Sequence, residues 1–326
     1  MKKKFDKEDL FHLYHCSDLG KGELTTILKE DVYSNKKDWT TFMEILFLIL
    51  GSGLLVIGVL FFFAYNWTAL HTFLKFGIIG AILTIAVCCS VYNKIPILYR
   101  RIALLCASLL IGILYAVFGQ EYQTGANAYD FFLAWLMSIT IWTLTSKFPF
   151  QWLMYGLLGN ATLMLCFGQV FDSESVFTYL LGLLITNIML FIVPNSISYF
   201  RKNTIVPQWY NKIYITVVTL ISTQDIIVTI FSTDFLRYNE SRANLVITLC
   251  ISLGWIGGLL WRAIVTKTFY YYSTAIVSCF FILLGLLVKI FDFTIFSTLL
   301  YAIYFIGGTF GVVNYLMKTF KKWQDE

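Results

Sequence analysis

The sequence contains little charge. Asp, Glu, Lys and Arg make up 13% of the 326 residues, against about 25% in ordinary soluble domains. Hydrophobic residues make up 58%, and the mean hydropathy is +0.73. A soluble chain of this length has no core large enough to bury such an excess of apolar side chains. The composition therefore excludes an ordinary soluble protein and predicts an integral membrane protein whose main partner is the lipid bilayer.

Sequence motifs of catalysis are also lacking. The chain contains no HExxH sequence, no P-loop, no GxSxG elbow and no dinucleotide-binding glycine pattern. His12, His15 and Cys16 have helical spacing, but no fourth ligand accompanies them, so we predict no metal site. The other six cysteines lie inside apolar segments and are expected to pack as small hydrophobic side chains. We therefore expect no enzyme activity and no cofactor.

Ten apolar segments are long enough to span a bilayer, which takes about 20 residues for about 30 Å of hydrocarbon. They predict an all-α polytopic transmembrane helix bundle over residues 42–317, followed by a short cytoplasmic tail, 318–326. Residues 1–41 precede the bundle and show helical spacing, which predicts a cytoplasmic helical segment near the membrane. This segment could alternatively dock a cytoplasmic protein partner. The predicted spans are Phe42–Tyr65, Thr72–Tyr92, Ile102–Gly119, Phe131–Ser146, Phe148–Gln169, Val176–Val193, Lys212–Ser232, Asn244–Arg262, Phe269–Lys289 and Thr294–Met317.

Basic residues are distributed unequally between the two sides of these spans. The net charge of +5 comes from short basic clusters, which set membrane orientation and do not form the continuous basic face that nucleic acid requires. With a cytoplasmic N-terminus, all but four of the 24 Lys and Arg residues fall on the cytoplasmic side. The charge distribution therefore predicts an inner-membrane protein with both termini in the cytoplasm and no nucleic-acid partner. The four exceptions are Lys75, Arg237, Arg242 and Lys289.

Glycine pairs with a spacing of four residues occur in the eighth and tenth spans. Such spacing lets two helix backbones approach closely, so it predicts sites of helix packing. The pairs are Gly254 with Gly258, and Gly307 with Gly311.

The most distinctive polar sequence is FGQEYQTGANAYDFFLAW, residues Phe118–Trp135, which follows the third span and contains no Lys or Arg. The sequence AYNW, which ends the first span, is predicted on the same extracytoplasmic side. Amide side chains near the hydrocarbon boundary need partners, because an unpaired amide there costs several kcal/mol. Two interpretations stay open: these groups pair with one another and cap the bundle, or they form an outward-facing pocket for a small solute. The pocket residues would be Asn66, Trp67, Gln120, Tyr122, Gln123, Thr124 and Asp130.

Asp225 lies within the seventh span, beside Gln224. An ionisable residue at such depth is rare and points to a function by default. It could be a coupling carboxylate for protons or cations. It could equally be a structural residue that faces the bundle interior and is hydrogen-bonded to hydroxyl groups such as that of Thr223.

The segments LGSGLLVIGVLFFFAYNW (Leu50–Trp67) and FGQEYQTGANAYDFFLAW, after a charged N-terminal helical stretch, carry a family resemblance. Over about residues 9–144, the chain resembles the bacterial membrane proteins grouped as domain of unknown function 2157. The resemblance implies an integral membrane protein and implies no particular activity. It gives one more reason to consider the polar residues of AYNW and GQEYQTG together.

Two hypotheses for the function follow. The first is a transporter or permease-like protein for a small solute, with an outward-facing polar pocket and with Asp225 on the pathway. The second is a membrane sensor or assembly scaffold that transports nothing and whose outer polar motifs are structural. The first hypothesis needs a polar pathway through the bundle, and the second does not.

Overall fold

The computed structural model describes residues 36–123, 125–170, 176–200, 206–232, 242–291 and 294–325. Within these ranges it contains ten α-helices and no β-strand. Each helix has an apolar stretch long enough to cross a membrane, which confirms the predicted bundle of ten spans. Four predicted features lie outside the described residues: most of the N-terminal segment, the pair His12 and His15, Cys16, and Thr124.

Several helices extend beyond the apolar segments that predicted them. Hydropathy marks the part of a helix that lies in hydrocarbon, whereas hydrogen bonding continues the helix into the interface. Pro149 begins a helix, as expected for proline in the first turn. Residues 318–325, the predicted tail, continue the last helix. The helices are α1 (Lys36–Tyr65), α2 (Thr72–Val91), α3 (Ile97–Tyr122), α4 (Ala128–Thr145), α5 (Pro149–Gln169), α6 (Val176–Phe200), α7 (Gln208–Phe231), α8 (Arg242–Thr266), α9 (Phe269–Ile290) and α10 (Ile295–Asp325).

Helix α6 passes through Pro194, although the sequence predicted that this span ends at Val193. Proline has no N–H group, so the carbonyl of Leu190, four residues earlier, loses its helical donor. The hydroxyl of Tyr210 on α7 donates a hydrogen bond of 2.9 Å to that carbonyl. The neighbouring helix thus supplies the missing donor, which explains why α6 continues.

The chain divides into two compact units, residues 1–110 and residues 111–326, and the boundary lies within α3. In the second unit, α7 packs against α6, α8 and α9, and α8 packs against both α6 and α9. Ile215 of α7, Leu259 of α8 and Ala275 of α9 form one buried apolar cluster at this contact. Helix α7 is therefore the central helix of the group formed by α6, α7, α8 and α9.

Hydrogen bonds in the second unit join the helix ends that an up-and-down arrangement brings together. The backbone N–H of Tyr129, at the start of α4, donates to the Gln169 side chain, at the end of α5, at 3.1 Å. The hydroxyl groups of Thr216, near the start of α7, and Tyr270, at the start of α9, lie 2.6 Å apart. We call the face that carries the α3–α4 connection the outer face and the opposite one the inner face, after the predicted orientation.

Candidate functional site

An open pocket lies at the outer face of the second unit, where α3 ends and α4 begins. It has a volume of about 900 Å³, and Gln120, Gln123 and Asp130 are among its lining residues. Tyr122 is half-exposed and is not part of the lining. Three of the residues predicted from the sequence are therefore brought together around one cavity.

Two of these lining residues also shape the α3–α4 connection. The Asp130 carboxylate accepts a hydrogen bond of 3.1 Å from the backbone N–H of Asn127, at the start of α4. Gln123 (φ +42°) and Gly125 (φ +62°) are in left-handed conformations, which reverse the chain between the helices. Asp130 thus stabilises the beginning of α4, in addition to lining the pocket.

Asn66 and Trp67 belong to the first unit, where both have local contacts. The Asn66 side chain donates to the carbonyl of Phe62 at 3.0 Å, in the last turn of α1. The ammonium group of Lys75 lies 3.8 Å from the centre of the Trp67 ring. This cation–π contact connects the α1–α2 loop to the first turn of α2 and keeps a basic side chain buried near the end of a span. This role of Lys75 was not predicted from the sequence.

Asp225 is completely buried on α7. One carboxylate oxygen, Oδ2, accepts a hydrogen bond of 2.7 Å from the Ser252 hydroxyl of α8, and the Thr248 hydroxyl lies beside the same carboxyl group. The other oxygen, Oδ1, has no hydrogen-bond partner among the described residues. Thr223, which the sequence suggested as a partner, instead donates to a backbone carbonyl and lies 2.6 Å from the Ser278 hydroxyl.

Ser222 lies one helical turn before Asp225, so the two side chains share a face of α7. Its hydroxyl oxygen is buried and has no hydrogen-bond partner among the described residues. Ser222 was not predicted from the sequence, because it is one of several hydroxyl side chains in this span. The threonine hydroxyl groups of α7 each bond to the carbonyl four residues earlier, namely those of Thr216, Thr219, Thr223 and Thr229.

A second pocket, of about 480 Å³, lies between α6, α7, α8 and α9 in the inner half of the unit. Its polar lining includes Asn195, Asn211 and Arg262, and the two amides are joined by a hydrogen bond of 2.8 Å. The Trp255 indole also lines the pocket and donates to the Thr219 hydroxyl at 3.1 Å. Thr219 lies on α7 one helical turn before Ser222.

The glycine pairs predicted to mark close helix packing do not do so. A Cβ atom at Gly254, Gly258, Gly307 or Gly311 would meet nothing within 4 Å, so this prediction was wrong. Gly254 and Gly258 instead line the inner pocket, where the missing side chains leave space. Spacing alone does not say which side of a helix faces a neighbour, and this explains the error.

Metal-ligating residues are not clustered in the part of the chain that the structure describes. No group of three or more His, Cys, Asp or Glu side chains comes together there. The six cysteines of this part are all unpaired and lie within helices.

Comparison with known proteins gives a family match for only the N-terminal part of the chain. Neither a curated protein nor a solved structure matches the chain. The segment that matches a protein family contains the polar motifs of α1, α3 and α4, and it does not contain Asp225. Residues 26–152 match the family described as predicted membrane protein (DUF2157), which confirms the resemblance seen in the sequence.

Proposed function

We propose that this integral membrane protein is a permease-like protein for a small solute, without enzyme activity. The second unit would form the solute pathway, with Asp225 as its coupling or pathway carboxylate. The proposal depends on one observation above all: the carboxyl group of Asp225 is fully buried on the central helix, and only one of its oxygens is hydrogen-bonded to the described residues.

The energetic argument concerns the carboxyl group of Asp225. A charged side chain inside a membrane span is unfavourable by at least about 2.5–3.5 kcal/mol. A purely structural aspartate would be expected to have both oxygens satisfied, because an unpaired buried polar group costs a further 1–3 kcal/mol or so. Among the described residues, Ser252 donates to Oδ2 and the Thr248 hydroxyl lies beside the carboxyl group, whereas Oδ1 has no hydrogen-bond partner. A buried carboxyl group with an unpaired oxygen is typical of a site that acts on a ligand or an ion.

Polar groups also extend along α7 on either side of the membrane centre. Asn211 lines the inner pocket, Thr219 bonds to the Trp255 indole at that pocket, and Ser222 precedes Asp225 by one turn. Asp225 lies six residues before the outer end of α7, about 9 Å along the helix axis. These groups supply the polar surface that a solute pathway needs and that a scaffold does not.

The orientation of the chain is part of the same proposal. The distribution of Lys and Arg supports an orientation with both termini in the cytoplasm, and the family resemblance supports a location in the bacterial inner membrane. Residues 1–41 would then be available to a cytoplasmic protein partner. Alkaline phosphatase fused after Gly125, in the α3–α4 connection, should be active in whole cells, and the same enzyme fused after Asp325 should be inactive. The reverse pattern would contradict this orientation.

Uptake into proteoliposomes tests the proposed function. Purified protein would be reconstituted and supplied with radiolabelled amino acids, monosaccharides and nucleosides in separate reactions. We expect at least one probe to enter faster than into empty liposomes, Asp225→Asn to abolish the difference, and Gln224→Ala to preserve it. Gln224 is the matched control because it is adjacent but exposed. Uptake equal to that of empty liposomes for every probe would favour the sensor or scaffold hypothesis.

A further inference from the structure

We infer that Asp225, Ser222, Ser252 and Thr248 form a binding site for a sodium ion in the membrane interior. This inference deepens the proposed function, on which its role as a coupling site rests, by naming the ion. The four side chains come from two packed helices, α7 and α8, and all four are buried.

The first argument is that the cluster has more hydrogen-bond acceptors than donors. The Ser252 hydroxyl uses its single proton on Asp225 Oδ2, and the Thr248 hydroxyl donates to the carbonyl of Leu245 at 3.0 Å. Both oxygens keep free lone pairs, because a hydroxyl group has one donor and two acceptor sites. Asp225 Oδ1 adds further lone pairs and has no donor among the described residues. The cluster is therefore rich in acceptors and poor in donors, which suits a cation better than a water molecule.

The second argument is the side-chain conformation of Ser222. A hydroxyl group within a helix ordinarily bonds to a carbonyl of the preceding turn, as its neighbours on α7 do. The Ser222 hydroxyl makes no such bond, although it is completely buried. Its oxygen is therefore available to a group bound beside Asp225, one turn further along the helix.

The third argument is charge and ligand type. No Lys, Arg or His of the described residues pairs with Asp225, so this part of the protein supplies no positive charge to balance an ionised carboxylate there. Oxygen ligands from carboxylate and hydroxyl groups suit hard cations. One carboxylate balances one positive charge, and burial makes an unbalanced charge expensive. A monovalent hard cation therefore fits better than Ca²⁺ or Mg²⁺, whose sites usually contain several carboxylates.

Binding of ²²Na⁺ to the purified full-length protein tests the inference. We expect saturable binding that Asp225→Asn abolishes and that Ser222→Ala weakens about tenfold or more, through the loss of one ligand. Ser222→Ala removes no hydrogen bond to the described residues, so this variant is expected to fold even if Asp225→Asn does not. Ser278→Ala is the matched control, because Ser278 is buried on α9 and hydrogen-bonded to Thr223, away from the cluster. It should bind sodium as the wild type does.

Thermal unfolding in NaCl, KCl and choline chloride of equal concentration gives a second readout. The melting temperature should be highest in NaCl for the wild type and for Ser278→Ala, and the increase in NaCl should be smaller for Ser222→Ala. Absence of saturable ²²Na⁺ binding, or equal binding by Ser222→Ala and the wild type, would overturn the inference and show that a proton or water occupies the cluster. Sodium binding without solute uptake would support the site and contradict the permease. Solute uptake that is equal in NaCl and choline chloride would contradict sodium coupling only.

Discussion

Replacement of Tyr210 by Phe tests how the second unit accommodates Pro194 inside α6. The Tyr210 side chain is completely buried, and its hydroxyl donates to the Leu190 carbonyl, which Pro194 deprives of its helical donor. Tyr210→Phe removes this donor without changing the shape of the ring. The Leu190 carbonyl is then left without a partner in an apolar environment.

The magnitude follows from the value of one buried hydrogen bond. Leaving a buried carbonyl unsatisfied costs about 1–3 kcal/mol, and hydrogen bonds measured between membrane helices reach about 1.7 kcal/mol. We therefore expect Tyr210→Phe to lower the free energy of unfolding by about 1–2 kcal/mol. In a Pro194→Ala background, the introduced alanine provides its own backbone N–H to the Leu190 carbonyl, so Tyr210→Phe should cost much less. The two substitutions should be coupled by about 1 kcal/mol.

The assay is reversible unfolding of the purified protein by sodium dodecyl sulfate, measured for the wild type, both single variants and the double variant. Tyr155→Phe is a suitable control, because the Tyr155 hydroxyl bonds to a threonine side chain and to no proline-freed carbonyl. Its effect should be the same in the wild-type and in the Pro194→Ala background. Additive effects of Tyr210→Phe and Pro194→Ala would refute the proposed compensation.

Two further predictions concern contacts of α5. A Cβ at Gly156 would clash with the buried Tyr214 hydroxyl oxygen, whereas Gly159 has room for a Cβ. Gly156→Ala should therefore be about 1–3 kcal/mol less stable than Gly159→Ala in the same unfolding assay. Equal stabilities would contradict the close contact of α5 with Tyr214. Asn160 and Asn187 exchange two amide hydrogen bonds, of 2.8 and 3.2 Å, between α5 and α6. A double-mutant cycle with leucine at both positions should give a coupling of about 1–2 kcal/mol, and strictly additive effects would argue against the pair.

The helical architecture could be predicted from the sequence because a span needs about 20 consecutive apolar residues, and the chain supplies ten such segments. Helix ends were less predictable. The sixth span was predicted to end at Val193, the residue before Pro194, and the tertiary contact of Tyr210 with Leu190 explains why the helix continues. Local sequence rules do not contain such contacts, since they depend on which helices become neighbours.

The candidate site could be predicted in part. Asp225 was recognisable because a carboxylate is conspicuous in an apolar segment, and the structure does bury it. Its partners Ser252 and Thr248 lie on α8, a separate helix, so the sequence could not pair them with it. Ser222 resembles any other helical serine until its missing backbone hydrogen bond is seen.

Accessibility of cysteines placed between the inner pocket and Asp225 tests the central claim most directly. In a variant without the seven native cysteines, Thr219→Cys and Ser252→Cys would be treated in proteoliposomes with a charged, membrane-impermeant thiol reagent. Leu220→Cys is the control, because Leu220 is adjacent to Thr219 but exposed on the outside of the helix, where lipid is expected. We predict that both buried positions react and that Leu220→Cys does not. No reaction at Thr219→Cys and Ser252→Cys would show that water does not reach the polar core and would contradict a solute pathway through it.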